Sequence, residues 1–211
     1  MKLGFIGCSN ITKAMMTCMV NTGTVAKEDI FVSNIDKYDL HKIKESLGIN
    51  AEESRVAVAE KSNVIILAEW ADLYTEIANE IKPLLTDNHI IVSTAPNMPI
   101  SAVTERFGDN VKIVRAKPNT PAIVGESMTG ICCNNLVTHE EFNEICNVMR
   151  SFGVVEEVPE SLIDVVIAVS SSSPAYIFMF IEAMADAASA DGMPRAQAYE
   201  FAAQAVCAAV G

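Results

Sequence analysis

The stretch Gly4-Phe5-Ile6-Gly7-Cys8-Ser9-Asn10-Ile11-Thr12 decides the fold. An apolar run over Lys2–Gly7 turns sharply and gives way to an amphipathic segment over Ile11–Asn21. Strand, tight turn and helix in that order present a helix N terminus, whose unpaired N–H groups suit a phosphate. The dinucleotide fingerprint G-x-G-x-x-G finds its first glycine in Gly7, but Ser9 and Thr12 hold the second and third positions. A serine there stands where a pyrophosphate comes closest, and a threonine crowds the helix–strand contact. The same spacing serves an ordinary strand-to-helix turn of a parallel sheet.

Outward from this turn the pattern repeats. Asp29–Asn34 reads as the next strand and Lys37–Leu47 as its helix. Asn63–Ala68 is a continuous apolar run of strand length, as expected of a parallel strand covered on both faces. A helix over Asp72–Leu85 follows, then strands His89–Thr94 and Val111–Ala116 around a short helix at Ile100–Phe107. Met128–Cys133 and Gly153–Val158 read as two more strands flanking a helix at Thr138–Phe152. This alternation predicts an α/β fold with a Rossmann-like doubly wound sheet over residues 1–159.

Past Pro159 no strand pattern continues, and residues 160–211 read as an all-α segment. Ser161–Val169 is apolar on nearly all sides and is expected to be buried. Ser170–Ser173 leads into Pro174, which reads as a helix start, with Ser173 as cap and Pro174 in the first turn. That helix runs to about Ala190, and Pro194 opens another. A small apolar helix pair has little of its own to pack against, so it is expected to bury itself in a partner subunit, as a homodimer or higher oligomer.

Composition narrows the function. Of 211 residues, half are hydrophobic and 20% charged, which excludes wholesale disorder. A net charge of −12 argues against a nucleic-acid binder, which needs a basic face. The longest apolar stretch, around Ala175–Ile181, falls short of a bilayer, and the opening strand does not read as a signal peptide. Six cysteines without C-x-x-C spacing read as reduced thiols of a cytoplasmic protein, and His41, His89 and His139 show no ligand spacing, so no metal is expected.

Three further segments bear on chemistry. At the end of the second strand, Asn34 favours NADP over NAD, while Asp36 would repel a 2′-phosphate unless it caps the following helix or Lys37 offsets it. Arg115-Ala116-Lys117-Pro118-Asn119-Thr120-Pro121 lies at the C-terminal end of a strand, the ligand-facing edge of such sheets, and is either a stiff ligand loop or a rigid connection. The serine run before Pro174 is either a carboxylate cradle or a plain helix cap. No Ser-His-Asp set assembles around it.

These blocks together resemble the pyrroline-5-carboxylate reductase family over essentially the whole chain. The resemblance rests on the Gly4–Asn10 turn, Val32-Ser33-Asn34, Ile65-Ile66-Leu67-Ala68, Pro118-Asn119-Thr120-Pro121-Ala122 and Val124-Gly125-Glu126. It continues through Ser170 and Ser172-Ser173-Pro174-Ala175-Tyr176, Phe180–Ala187 and Gly192-Met193-Pro194-Arg195. It implies hydride transfer from NADPH, with NADH as the other option, to the cyclic imino acid 1-pyrroline-5-carboxylate. It places cofactor contacts at Ile6, Gly7, Cys8, Ser9, Asn10, Ile11, Asn34, Ala68, Glu69, Trp70, Ala71 and Asn119. Substrate contacts fall on Asn119, Ser170, Ser171, Ser172 and Ser173.

The departures from the family pattern cluster where ligands sit. Glu69-Trp70-Ala71 replaces valine-lysine-proline, Ala95-Pro96-Asn97 replaces alanine-alanine-glycine, and Lys117 stands where methionine is usual. Ser171 and Ser173 replace glycines. The family threonine that reaches the ring nitrogen is matched by Ile167, so no catalytic residue is assigned. Family members continue past the position of Gly211 with further helices; either the native chain is longer or the site is incomplete as it stands. A catalytically silent relative acting as a structural or regulatory partner is the alternative reading.

Overall fold

Strands buried on both faces account for the continuous apolar runs. In the computed structural model, which describes residues 1–210, the elements are β1 (Leu3–Ile6), α1 (Asn10–Thr22), β2 (Ile30–Ser33), α2 (Lys37–Leu47), β3 (Asn50–Ala51) and α3 (Arg55–Lys61). They continue with β4 (Val64–Leu67), α4 (Tyr74–Ile81), β5 (Ile90–Ser93), α5 (Ile100–Phe107), β6 (Lys112–Lys117), β7 (Ser127–Cys133), α6 (His139–Arg150) and β8 (Gly153–Glu157). Three helices close the chain: α7 (Ile163–Val166), α8 (Ser173–Ala190) and α9 (Arg195–Val210).

The strands form one sheet in the order β3-β2-β1-β4-β5-β6-β7-β8. The first six are parallel in the doubly wound order, so the chain reverses direction across the sheet between β1 and β4. β7 pairs antiparallel to β6, and β8 parallel to β7, so the sheet is mixed at that edge. Successive residues of each central strand feed opposite layers. Leu3, Phe5, Val64, Ile66, Ile90 and Val92 join the core with α1 and α6, whereas Ile6, Ile65, Leu67 and Ile91 join the core with α4 and α5.

By contacts the chain divides into Met1–Ile167 and Ala168–Gly211, later than the boundary read at Pro159. Ile163 is fully buried, and a Cβ on Gly130 of β7 would meet Val166 at 2.8 Å, so the first turns after Pro159 pack in the first unit. The expectation that all of Ser161–Val169 is buried is corrected: Ile163 alone is, while Val165 and Val169 are exposed. In the second unit, α8 and α9 pack through Ala185, Ala198 and Ala202, and Arg195 pairs with Asp186 at 2.7 Å. The N-terminal half of α8 is exposed around its whole circumference, at Tyr176, Ile177, Phe178, Met179 and Phe180.

One reading of the serine run is also corrected. Ser173 does not cap α8: its hydroxyl donates to the Val169 carbonyl, and Ser172 holds the N-cap position with helical dihedrals and no side-chain cap. A π-helical turn, Ile167–Ser171, carries the helical path into α8. Glu160–Ala190 is one helical run that, by length and composition alone, is long and apolar enough to cross a membrane, although its longest unbroken apolar stretch is the one read around Ala175–Ile181. Serines interrupt the apolar pattern in the sequence but not the helix.

The sequence reading also passed over β3 and α3. A two-residue strand and a seven-residue helix are too short to display a period.

Candidate functional site

The C-terminal ends of β1 and β4 meet at the point where strand order reverses, and the site is built there. Gly7 leaves β1 at φ +100, and a Cβ on it would lie 2.9 Å from the Ala68 carbonyl oxygen and 3.0 Å from Glu69 Cδ. The close approach is held by Ala68 N–H donating to Ile6 O at 2.9 Å, while Gly7 N–H donates to Ser33 O of β2 on the other side, also at 2.9 Å. Only glycine fits both that conformation and that gap. Beneath the end of β4 the buried Tyr74 hydroxyl bonds Leu67 O at 3.2 Å and Ser93 Oγ at 3.1 Å, fixing the β4 and β5 ends together.

Ser9 is the N-cap of α1, its Oγ accepting from Thr12 N at 3.3 Å and lying 3.2 Å from Thr12 Oγ1. The hydroxyl therefore sits at the helix N terminus, where the fingerprint has a bare backbone. Thr12 is buried and Lys13 N–H closes on Ser9 O at 2.9 Å. Asp36 caps α2, its Oδ1 accepting from Tyr38 N at 2.9 Å and Asp39 N at 3.2 Å.

Two clefts flank the turn. The larger, of about 430 Å³, runs from Cys8, Ser9, Ile11 and Asn34 past Ala68, Glu69 and Trp70 to Thr94–Pro96 and Lys117-Pro118. The smaller, of about 300 Å³, is lined by Ile6, Gly7, Asn34 and Glu69, together with Lys37, Glu53, Ser54 and Arg55. Asn34 and Glu69 line both, so the two make one trough along the C-terminal edge from β2 to β6. Of the sequence-derived cofactor residues, Ile6, Gly7, Cys8, Ser9, Ile11, Asn34, Ala68, Glu69 and Trp70 come together here. Asn10, Ala71 and Asn119 line neither cleft.

Asn119 is buried behind the trough. Its Oδ1 accepts from Met128 N at 2.9 Å and Ser127 Oγ at 3.1 Å, and so ties the β6–β7 loop to β7. Ser170–Ser173 belong to the second unit, and Ile167 opens the π-helical turn.

Charge in the trough is distributed unevenly. In the smaller cleft Lys37 bonds the Glu53 carbonyl at 3.1 Å and lies 3.7 Å from its carboxylate. Arg55 pairs with Glu76 at 2.5 Å and Glu80 at 2.8 Å. Burial raises the Glu69 carboxyl above its ordinary range, with Arg55 opposing. Burial also pushes the Cys8 thiol up to about 11, so it stays neutral on the cleft floor. Lys117 Nζ donates to Thr94 O at 2.8 Å, and burial, helped by Arg115, lowers its ammonium to about 8. Sequence reasoning missed Glu53, Ser54 and Arg55; the signal was Ser54, which caps α3 through Ala57 N at 3.1 Å.

Among the described residues no group of three or more His, Cys, Asp or Glu side chains is placed to hold a metal. A trough at the strand-order reversal, a strained glycine turn and a helix N terminus fit the class of a dinucleotide.

Comparison with known proteins agrees with this geometry. Residues 160–211 match the family model described as pyrroline-5-carboxylate reductase dimerisation, and residues 2–97 the model described as NADP oxidoreductase coenzyme F420-dependent. The pyrroline-5-carboxylate reductase of Escherichia coli K12 is 42% identical over 205 residues, 97% of this chain and 76% of that protein. The solved structure of the Coxiella burnetii pyrroline-5-carboxylate reductase superposes with a TM-score of 0.92 at 29% identity, covering 99% of this chain and 77% of that one. The Plasmodium falciparum pyrroline carboxylate reductase with NADP bound superposes at 0.90 with 28% identity, over 99% and 77% of the two chains.

Proposed function

This chain belongs to the pyrroline-5-carboxylate reductase family, and from that premise we infer that it is an NADP(H)-dependent oxidoreductase that reduces 1-pyrroline-5-carboxylate to L-proline. The observation that carries this reading is the single trough crossing the sheet at the reversal of strand order. When bound, the nicotinamide supplies the hydride. The protein supplies position and electrostatics. The Gly7–Ile11 turn and the first turn of α1 would hold the pyrophosphate, Asn34 would hold the adenosine ribose, and Ala68–Trp70 would form the wall between the halves.

We assign the hydroxyls of Ser170–Ser173 and the Asn119 loop to the imino acid, and take residues 1–159 as the cofactor domain and 160–211 as the dimerisation segment. Ile167 has no proton to give, so no residue is assigned as the proton donor to the ring nitrogen. The exposed apolar N-terminal half of α8 is assigned to a second copy of this chain, which supports a homodimer or higher oligomer rather than a membrane span. With a net charge of −12 opposing nucleic acid, we take the partners to be small molecules and the chain itself, in the cytoplasm.

The deciding experiment titrates the purified protein with NADPH and NADH by cofactor fluorescence, then follows turnover with the cyclic imine. Saturable binding and imine-dependent oxidation of NADPH are expected. Binding of neither cofactor would overturn the assignment in favour of a silent relative.

A further inference from the structure

Lys117 is the one departure from the family pattern that places a buried cation in the larger cleft. It is 9% exposed, lies at the C-terminal end of β6 and lines the cleft beside Thr94 and Pro118. Its Nζ is held by the Thr94 carbonyl at 2.8 Å. The charged groups around it come from several elements. Arg115, two residues back on β6, is drawn towards Glu160 and Asp164, both at 3.4 Å. Asp39 of α2 is paired with Lys13 of α1 at 2.9 Å. Glu69 lines the cleft from the end of β4, and Cys8 before α1 is a neutral thiol. β5 contributes the uncharged Ser93 and Thr94, and β7 the uncharged Thr129 and Gly130.

In a doubly wound sheet the two halves of a dinucleotide lie on either side of the reversal point. The β2 end with Asn34 serves the adenosine half, and the β4–β6 ends serve the nicotinamide half. We propose that Lys117 sets the preference of this cleft between the two redox forms of the cofactor, its ammonium favouring the neutral dihydronicotinamide of NADPH over the cationic ring of NADP⁺. This rests on assigning the trough to the cofactor. The two forms share adenine, riboses and phosphates, so contacts at that end cancel in the ratio of their affinities. What remains is one positive charge on the ring, in the same cleft as a second positive charge on the buried Lys117. Reduced cofactor is thereby retained and the oxidised product is released. Methionine at this position has no such selectivity.

The test measures dissociation constants for NADPH and NADP⁺ by calorimetry, at about pH 6.5 and about pH 9.5, which bracket the lowered lysine. The parent, Lys117→Met and Lys117→Arg are compared. At the lower pH the parent and Lys117→Arg are expected to favour NADPH over NADP⁺ by roughly tenfold more than Lys117→Met does. At the higher pH the parent's ratio falls towards that of Lys117→Met, while Lys117→Arg keeps its preference. A Lys117→Met ratio equal to the parent's at low pH, or a parent ratio that does not change with pH, overturns the proposal while leaving the cofactor assignment standing. Failure of the parent to bind either form overturns the cofactor assignment itself, and the proposal with it. If Lys117→Met does not fold, the parent's pH series against Lys117→Arg decides.

Discussion

Replacing Gly7 with alanine tests the architecture of the trough most directly. The residue sits at φ +100, and the new Cβ would meet the Ala68 carbonyl oxygen at 2.9 Å and its carbon at 3.0 Å. Glu69 Cδ, also 3.0 Å away, is the end of a flexible side chain and can swing aside; the Ala68 backbone cannot. A non-glycine residue in a sparsely populated conformation costs about 1–3 kcal/mol. Relieving the contact also forces the β1 and β4 ends apart, against the Ala68–Ile6 hydrogen bond. Urea unfolding should therefore show Gly7→Ala less stable by about 2 kcal/mol. NADPH titration should show binding weakened by roughly tenfold or more, because the displaced backbone is the wall of the site. Gly153→Ala is the control. There a Cβ would meet Ser127 O at 2.0 Å, at the start of β8 and outside the trough. That variant should lose more stability, yet its folded fraction should bind NADPH as the parent does. Equal NADPH affinity for Gly7→Ala and the parent, or an equal loss in both variants, would refute the reasoning.

Ser9→Gly should cost only a few tenths of a kcal/mol, as glycine is a tolerable N-cap, while freeing Thr12 N–H for a phosphate oxygen and tightening NADPH severalfold, about 1 kcal/mol; unchanged affinity in the fluorescence titration would show that the hydroxyl does not obstruct. Lys117→Met should raise stability at neutral pH by about 2–3 kcal/mol, because burial lowers the ammonium from 10.5 to about 8 and the folded state pays for its charge there. As pH climbs from about 8 to 10.5 the folded parent has released its proton while the unfolded chain still binds one, so the parent gains stability and the gap closes; a gap independent of pH contradicts the linkage. Cys8 and Cys132, both pushed up to about 11 by burial, weaken the fold above the ordinary thiol range in both proteins and cancel in that difference. Phe178→Glu in the exposed N-terminal half of α8 should shift light scattering towards monomer, and an unchanged mass would remove Phe178 from the interface.

The central strands were legible because each is an unbroken apolar run, and the observed split of Val64, Ile66 from Ile65, Leu67 between two cores explains why no alternation was visible. Strand direction is another matter: Ser127–Cys133 reads the same either way, so its antiparallel pairing to β6 could come only from the structure. The capping role of Asp36 was readable from its place before α2, since two free N–H groups lie within its reach. The β1 turn and the β4 end were recognisable as one site through the resemblance, whereas Arg55 was not, because α3 spans barely two turns. Asn119 was named as a ligand contact through the resemblance, its loop alone reading equally as a rigid connection; that its Oδ1 accepts from Met128 N and Ser127 Oγ of β7 is a packing outcome that only the structure gives. Burial over Ser161–Val169 was misjudged for a further reason: apolar composition does not say whether the covering surface belongs to the same chain.

Trp70 is the chain's single tryptophan, 74% exposed at the rim of the larger cleft. That placement gives the protein a native optical reporter. The indole emits in the band that reduced nicotinamide absorbs and oxidised nicotinamide does not. Excitation of this one side chain therefore distinguishes, without labelling, which redox form lies in the cleft, and the time course of its quenching during turnover follows the order in which the two forms arrive and leave.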